Sequence, residues 1–231
     1  MTPLVSVITP VYNAEKTLLQ SAQSVLSQDY SNLELLIIIN GCTDGSEDIA
    51  NDLSKNDSRV KIIKSKTGKV PARNAGFNAA MGEIIALNDA DDFWLPGKLS
   101  LQVKQINRGY DVVGSAIECI NDKGEITSDP IIRPLDHNEI VTIMLMGTNP
   151  IANSSAIFKK DLLNHIGTYD DCFPFCEDYH FWLKAVKFAK FKNLPDVLIQ
   201  YFIHHSPGYD PKIPIALSSF YRSVYHYTGV I

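Results

Sequence analysis

Apolar residues come in two rhythms along this chain. Unbroken apolar runs at Leu4–Thr9, Leu33–Ile39, Val60–Ile63 and Ile84–Asn88 have the length and β-branched content of strands. Leu33–Ile39 is almost wholly apolar, as expected of a parallel strand covered on both faces. Between these runs the rhythm turns helical. Leu18, Ala22 and Val25 fall at i, i+4 and i+7, with Leu19 and Leu26 beside them, and predict a helix over 14–27 with Asn13 as its N-cap. Ile49, Ala50 and Leu53 mark a short second helix, and 71–81 a third with Pro71 in its first turn. Alternating strands and helices predict an α/β fold with a mostly parallel central sheet flanked by helices. Ligands in such sheets bind beyond the carboxyl ends of the strands. Thr9–Asn13, Asn40–Ser46 and Asn88–Asp92 all fall there.

The second half is less regular. A helix is expected over 97–108, from Leu99, Val103 and Ile106. A strand at Asp111–Ile120 runs into the turn Asn121-Asp122-Lys123-Gly124 and a hairpin. Further helices are expected over 136–146, 161–166 and 177–190, the last from Phe181, Ala185 and Phe188, and further strands at Ala156–Lys159 and Val197–Ile203. No repeat, linker or low-complexity stretch divides the chain. Residues 1–231 therefore read as one domain with a first half to about 110, a second to about 206 and a C-terminal aromatic segment.

Composition narrows the class. The charge of −5 argues against a nucleic-acid partner. No apolar run reaches membrane-spanning length and the start lacks the basic and apolar regions of a signal peptide. The four cysteines show no zinc spacing and read as reduced thiols. A cytoplasmic protein without a membrane span is expected. Aromatic residues crowd the end: Tyr201, Phe202, Tyr209, Phe220, Tyr221, Tyr225 and Tyr227. They fit either a helix over about 214–227 packed on the sheet, or a surface for an acceptor, a lipid face or a second copy of the chain.

Candidate chemistry starts with Asn88-Asp89-Ala90-Asp91-Asp92 at a strand end. Crowded carboxylates repel unless a cation or hydrogen-bond donors compensate. Mg²⁺ or Mn²⁺ takes such hard oxygens and shares them with substrate phosphates. The plainer reading makes Asp92 a cap for a helix near Pro96, or Asp89 a turn closer. Glu177-Asp178 opens a predicted helix, where acids favour the dipole; a general base is the functional reading. His204-His205 follow the last strand and are either exposed residues or further metal ligands. Arg73 stands in a helix of small residues, pointing into a nucleotide pocket or making a surface ion pair. Tyr12 and the turn from Asn40 to Ser46 complete the set, the turn being a base-binding loop or an ordinary one with Ser46 as cap.

These pieces, in this order, resemble family 2 glycosyltransferases of the GT-A fold. Val5-Ser6-Val7-Ile8-Thr9-Pro10-Val11-Tyr12-Asn13 is similar to that family's first strand and base-binding turn. Ala72-Arg73-Asn74-Ala75-Gly76 followed by Gly82–Asp92 resembles its "ARNxG … GEYIxxLDxDD" stretch, and Phe93–Leu99 continues it. Asn149–Leu163 resembles the acceptor-side segment, Glu177–Leu183 the "EDxxxWL" motif, and Tyr201–His204 a late "YRxH" motif. The resemblance spans about 3–206.

It implies an inverting, metal-dependent transferase that moves a hexose from a nucleotide diphosphate sugar, most often a UDP-sugar, to a hydroxyl. The acceptor would be a saccharide or lipid-linked saccharide in surface-polysaccharide synthesis, at the inner face of the membrane. By the same resemblance Thr9, Pro10 and Tyr12 line the base pocket, Asn40 and Arg73 contact the nucleoside, and Asp89 contacts ribose or metal. Asp91 binds Mn²⁺ or Mg²⁺, His204 contacts metal or diphosphate, Asp178 is the catalytic base and Glu177 supports the acceptor. Two positions depart from the family: Ile39-Asn40 replaces a frequent Asp-Asp, and Phe202 replaces the Arg of the late motif. Asn40 still offers a carbonyl oxygen to a base N–H. Two other classes remain on the sequence: a nucleotide-sugar-binding subunit without turnover, and a sugar nucleotidyltransferase. The second expects a Gly-rich basic loop after the first strand, where Thr9–Asn13 stands instead.

Overall fold

The structure, a computed structural model, describes residues 2–173, 176–202 and 217–222. In chain order β1 (Val5–Val11), α1 (Leu18–Leu26), β2 (Leu33–Ile39), α2 (Ser46–Asn56), β3 (Val60–Lys64), α3 (Lys69–Ala79) and β4 (Ile84–Leu87) form the first half. Then come β5 (Phe93–Trp94), α4 (Lys98–Ile106), β6 (Val112–Ile120), α5 (His137–Leu145), β7 (Ile157–Lys159), α6 (Leu163–Ile166), α7 (Glu177–Ala185) and β8 (Phe191–Phe202). A further helical turn covers 217–222. All strands join one sheet in the order β3-β2-β1-β4-β7-β6-β8-β5.

β3, β2, β1 and β4 run parallel. The chain works outward from β1 to β3, then crosses to the other side of β1 to make β4. That reversal opens a crevice past the carboxyl ends of β1 and β4. Beyond β4 the sheet is mixed. β7 is antiparallel to both β4 and β6, and β5 is antiparallel to β8, whereas β6 and β8 are parallel. The result is a nucleotide-sugar-transferase sheet of the GT-A kind.

Strand alternation sorts the core into two layers. Leu36 and Ile38 of β2, with Ile8, Ile85 and Leu87, meet Phe77 of α3, Met144 of α5 and Phe181 and Trp182 of α7. Leu35, Ile37 and Ile39 point the other way and join Leu18 and Val25 of α1 and Leu99 and Val103 of α4. Because both faces are covered, every residue of β2 is buried, Glu34 included. Glu34 is satisfied by Ser6 Oγ at 2.6 Å, the Met81 N–H at 2.7 Å and Lys61 Nζ at 2.7 Å. Burial pushes its carboxyl up, but those hydrogen bonds outweigh it and hold the group below its ordinary value.

Gly82 closes the same corner, donating its N–H to Ser6 Oγ at 2.8 Å. A Cβ there would lie 2.5 Å from the Leu4 carbonyl oxygen and 2.8 Å from the Ser6 nitrogen, both backbone. Gly82→Ala is therefore expected to cost about 1–3 kcal/mol. In a thermal melt that is a fall of about 2–4 °C per kcal/mol; an unchanged midpoint would mean β1 and β4 do not sit in this register.

Several boundaries differ from the sequence expectation. α1 starts at Leu18 after Thr17, and Asn13 is not its cap. Asn13 instead adopts a left-handed backbone (φ 49°) and accepts the Thr43 N–H at 2.8 Å. α7 stops at Ala185, which leaves Phe188 exposed. β8 starts at Phe191, ahead of the Pro195-Asp196 break, because its pairing with β6 slips past those residues between Leu194 and Val197. The hairpin after β6 is reduced to two antiparallel bridges, Ile120 with Ile126 and Ile117 with Ile131. Of the expected C-terminal helix, Leu217 is buried in the α7-side core and Tyr221 Oη lies 2.9 Å from His180 Nε2; its remainder lies outside the described residues.

Candidate active site

A cleft of about 870 Å³ opens where β1, β2 and β4 end. Pro10, Tyr12, Asn40, Asp44, Lys69, Asp89, Asp91, Asp92 and Tyr201 are among its walls. Three segments distant in sequence are laced together to form it. The Ala14 N–H donates to Ser46 Oγ at 2.8 Å, the Glu15 N–H to Asp44 Oδ2 at 3.0 Å, and the Gly45 N–H to Glu15 Oε2 at 3.0 Å. Asn88 is fully buried and donates to Ser21 Oγ at 2.9 Å and Thr9 Oγ1 at 3.2 Å. Thr9 thus lies beneath the cleft floor, while Pro10 and the exposed Tyr12 form its wall.

Asn40 lines the cleft, but its carbonyl oxygen already accepts the Gly68 N–H at 2.7 Å, at the head of α3. Asn40 thus stands at the cleft, as the sequence expects, with one bond of its oxygen committed to the chain. The oxygen fixes the turn to α3, and the amide NH₂ has no hydrogen bond among the described residues.

Arg73 is fully buried and does not line the cleft. Its Nη1 donates to the carbonyls of Ile8 at 3.1 Å and Asn88 at 3.3 Å, while its Nη2 pairs with Asp89. Both sequence readings of Arg73, a pocket contact and a surface ion pair, give way to a buried brace that sets Asp89 from behind. Asp92 is buried too, and its Oδ1 accepts the Phe202 N–H at 2.9 Å, tying this loop to the end of β8. It does not cap α4, whose N-cap is Gly97. Burial pushes the Asp92 carboxyl well up, and the charges of Asp89 and Asp91 add to the effect.

Glu177 and Asp178 are the first two residues of α7. Glu177 is buried and pairs with Lys69 Nζ at 3.0 Å. Lys69 also lines the cleft and so joins the carboxylate loop to α7. Burial works against its charge, but Asp89 and Glu177 outweigh that and raise its pKa. Asp178 receives Asn149 Nδ2 on Oδ2 at 3.1 Å and the Tyr179 N–H on Oδ1 at 2.7 Å. Burial first, and then the Glu177 charge, push its carboxyl up to about 6, with Lys69 opposing. A carboxyl near 6 is ionised at neutral pH yet basic enough to accept a proton.

Three members of this site carry no individual role in the sequence reading: Lys69, Asn149 and Arg133. Arg133 Nη1 donates to the Asn149 carbonyl at 3.0 Å. A single basic residue outside any periodic segment has no spacing signal, and only the tertiary fold brings it to Asp178. His204 lies outside the described residues.

Among the described residues no group of three or more His, Cys, Asp or Glu side chains could hold a metal alone. Asp89 and Asp91 both line the cleft, however. Two carboxylates with phosphate oxygens and water are a usual set for Mg²⁺ or Mn²⁺, so the donor set fits such an ion shared with a phosphorylated ligand.

Comparison with known proteins settles the lineage. The model of glycosyl transferase family 2 matches residues 6–175. The chain belongs to that family. It is 34% identical over 214 residues to an uncharacterized glycosyltransferase of Haemophilus influenzae, covering 87% of this chain and 66% of that one. It is 32% identical over 191 residues to the Escherichia coli UDP-Glc:alpha-D-GlcNAc-diphosphoundecaprenol beta-1,3-glucosyltransferase WfgD, covering 80% of this chain and 70% of that one. Among solved structures, S. aureus TarS residues 1–349 in complex with UDP-GlcNAc superposes with a TM-score of 0.74 at 21% identity, covering 94% of this chain and 66% of that one. The Pyrobaculum calidifontis mannosyltransferase PcManGT, solved with GDP-Man and Mn²⁺, gives 0.68 at 17% identity, covering 98% and 76%. The chain spans about two thirds of the length of these relatives. No helix among the described residues is long and apolar enough to cross a membrane.

Proposed function

We propose that residues 1–231 form one catalytic unit that transfers a hexose, with inversion, from a nucleotide diphosphate sugar to a hydroxyl of a saccharide or lipid-linked saccharide. The observation that carries this reading is Asp178. Its carboxylate is held by Asn149 and shifted to about 6, and its neighbour Glu177 is tethered through Lys69 to the cleft that holds Asp89 and Asp91. WfgD, the E. coli relative, is named for transfer from UDP-glucose to a lipid diphosphate-linked sugar, which favours the same chemistry here.

In the reaction the nucleoside lies against Pro10 and Tyr12, where the amide NH₂ of Asn40 meets an acceptor on the base. Arg73 holds Asp89 in place from below. Asp91 and Asp89 would hold a Mn²⁺ or Mg²⁺ ion shared with the donor, and that ion would supply Lewis-acid stabilisation of the leaving diphosphate. Lys69 sets a positive charge beside the same phosphates. Asp178 takes the proton of the acceptor hydroxyl as its oxygen bonds to C1. The bond from C1 to the diphosphate breaks on the opposite face, so a single displacement inverts the anomeric centre.

The test is thermal shift with UDP, dTDP and GDP, with and without Mn²⁺. Ligand at ~100 times its dissociation constant stabilises by about 2.7 kcal/mol. For a domain of this size that is a rise of roughly 5–10 °C. Asp91→Ala is expected to remove the Mn²⁺-dependent part of the UDP shift. If the shift in Asp91→Ala matches wild type, the metal binds elsewhere; if no nucleotide shifts the midpoint, the donor reading fails.

A further inference from the structure

We propose that Asn149 and Asn193 are positioning residues for the base: Asn149 aims and anchors the Asp178 carboxylate, and Asn193 holds the loop that carries Asn149. The inference rests on the transferase reading of the same site, in which Asp178 takes the acceptor's proton.

The Asn149 amide meets Asp178 with a fixed orientation. Its Oδ1 accepts the Ile151 N–H at 3.1 Å, so its Nδ2 is turned to Asp178 Oδ2, also at 3.1 Å. Turning the amide over would set oxygen against carboxylate and NH₂ against N–H. The bond to Ile151 is an Asx turn, which Asp closes as well and Ser more weakly. The amide does more, closing the turn and donating to a carboxylate at once. With the Tyr179 N–H on Oδ1, both oxygens of Asp178 are held, and lone pairs remain for a proton.

The loop under Asn149 is held from inside the sheet. Asn193 of β8 is fully buried and pairs with Gly114 of β6. Its Nδ2 donates to the Pro134 carbonyl at 2.7 Å and the Pro150 carbonyl at 3.1 Å, and its N–H donates to the Leu135 carbonyl at 3.0 Å. One side chain thus ties the residue after Arg133 to the residue after Asn149. Arg133 Nη1 closes the same two segments on the Asn149 carbonyl at 3.0 Å. Neither proline lies in a strand, so the bonds of this side chain place the loop rather than pair the sheet. A Cβ at position 114 would stand 2.2 Å from Asn193 Oδ1, so Gly114 makes the room for the amide. The chain of contacts runs from Asn193 through the loop to Asn149 and ends on Asp178.

The experiment titrates Asp178 itself, by ¹³C NMR of its carboxyl carbon in aspartate-labelled protein, and needs no substrate. The titratable groups around Asp178 are Glu177, Cys176, Lys69, Asp89, Arg133, Tyr169 and Tyr201, and the variants change none of them. The wild-type titration should centre near 6. Asn149→Ala should raise that value by about one pH unit, the loss of a hydrogen bond to a charged group. Asn149→Ser keeps an acceptor for the Ile151 N–H but is too short to reach Asp178, so it should raise the value as far. A purely structural Asn149 would leave it in place. Asn193→Ala should raise it by less, and not at all in the Asn149→Ala background, because its effect passes through Asn149. An Asp178 titration unmoved in Asn149→Ala and Asn149→Ser overturns the proposal. An Asn193→Ala effect that is absent, or that persists without the Asn149 amide, overturns the role of Asn193. Should either alanine variant fail to fold, the serine variant at the same position carries the test. Should UDP and Mn²⁺ give no thermal shift in the wild type, the transferase reading falls separately, and the titration still decides whether Asn149 and Asn193 set Asp178.

Discussion

Asp178→Asn is expected to lower kcat by about 10²–10⁴-fold, the usual contribution of a positioned general base. The loss falls on the chemical step, because Asp178 touches neither the nucleotide wall nor Asp91 in this fold, so the UDP and Mn²⁺ shift should survive. The pH profile of the wild type carries the same signature. With its carboxyl pushed up to about 6, Asp178 loses its proton-accepting form as pH falls through that value. The rate should drop on the acid side with an apparent pKa near 6, and the variant should lack that limb. Full activity in Asp178→Asn would move the base to another residue.

The same substitution makes an opposite prediction for stability. The carboxyl is raised in the fold from its ordinary 3.8, so the folded chain binds this proton more readily than the unfolded chain. Burying the charge therefore destabilises at neutral pH. The penalty is absent below the ordinary value, grows between the two and is complete above about 6. A rise of that size corresponds to at most about 3 kcal/mol. Partial exposure of the side chain screens it, and an Asn that keeps its oxygen on the Tyr179 N–H would set its own NH₂ against the Asn149 NH₂. A net gain of about 1 kcal/mol remains, or 2–4 °C in the midpoint at pH 7.5, vanishing by pH 4. A variant that is slower and more stable is the mark of a residue kept for function. One that is slower and less stable marks Asp178 as a structural cap of α7.

What the sequence made legible follows from how local each signal is. The buried strands β1, β2, β3 and β4 are single apolar runs, and their carboxyl ends could be aligned before any contact was known. The acidic loop and the Glu177-Asp178 pair are contiguous, so their chemistry shows in a few letters. β7 is three residues long and β5 two, too short for a period of two to register. The sheet's change to mixed pairing rests on those short strands, so parallel order was the natural expectation. β8 hides behind Pro195, which reads as a break but sits where pairing with β6 slips. Asn40 and Arg73 were visible as residues but not as partners. One turns its oxygen to Gly68 and the other its fork to the ends of β1 and β4, and neither choice is written within their own segments.

Arg73→Met tests that last point directly. Methionine fills much of the same space with a flexible apolar chain, so the main loss is polar. The Ile8 carbonyl keeps the Asn88 N–H at 3.1 Å, but the Asn88 carbonyl loses its guanidinium donor. A buried acceptor left without a partner costs about 1–3 kcal/mol. Asp89 loses its cation while remaining close to Asp91 and Asp92, and cutting a pair with one buried member brings the total towards about 3–5 kcal/mol. The melting midpoint should fall by roughly 6–20 °C, and UDP with Mn²⁺ should bind more weakly because Asp89 is no longer held. Arg73→Lys keeps the charge but not the fork, so it should recover less than half of the stability. A direct base contact makes the reverse prediction: affinity lost with the midpoint intact. The two outcomes separate a residue that touches the nucleotide from one that holds the floor beneath it, and the fully buried guanidinium favours the second.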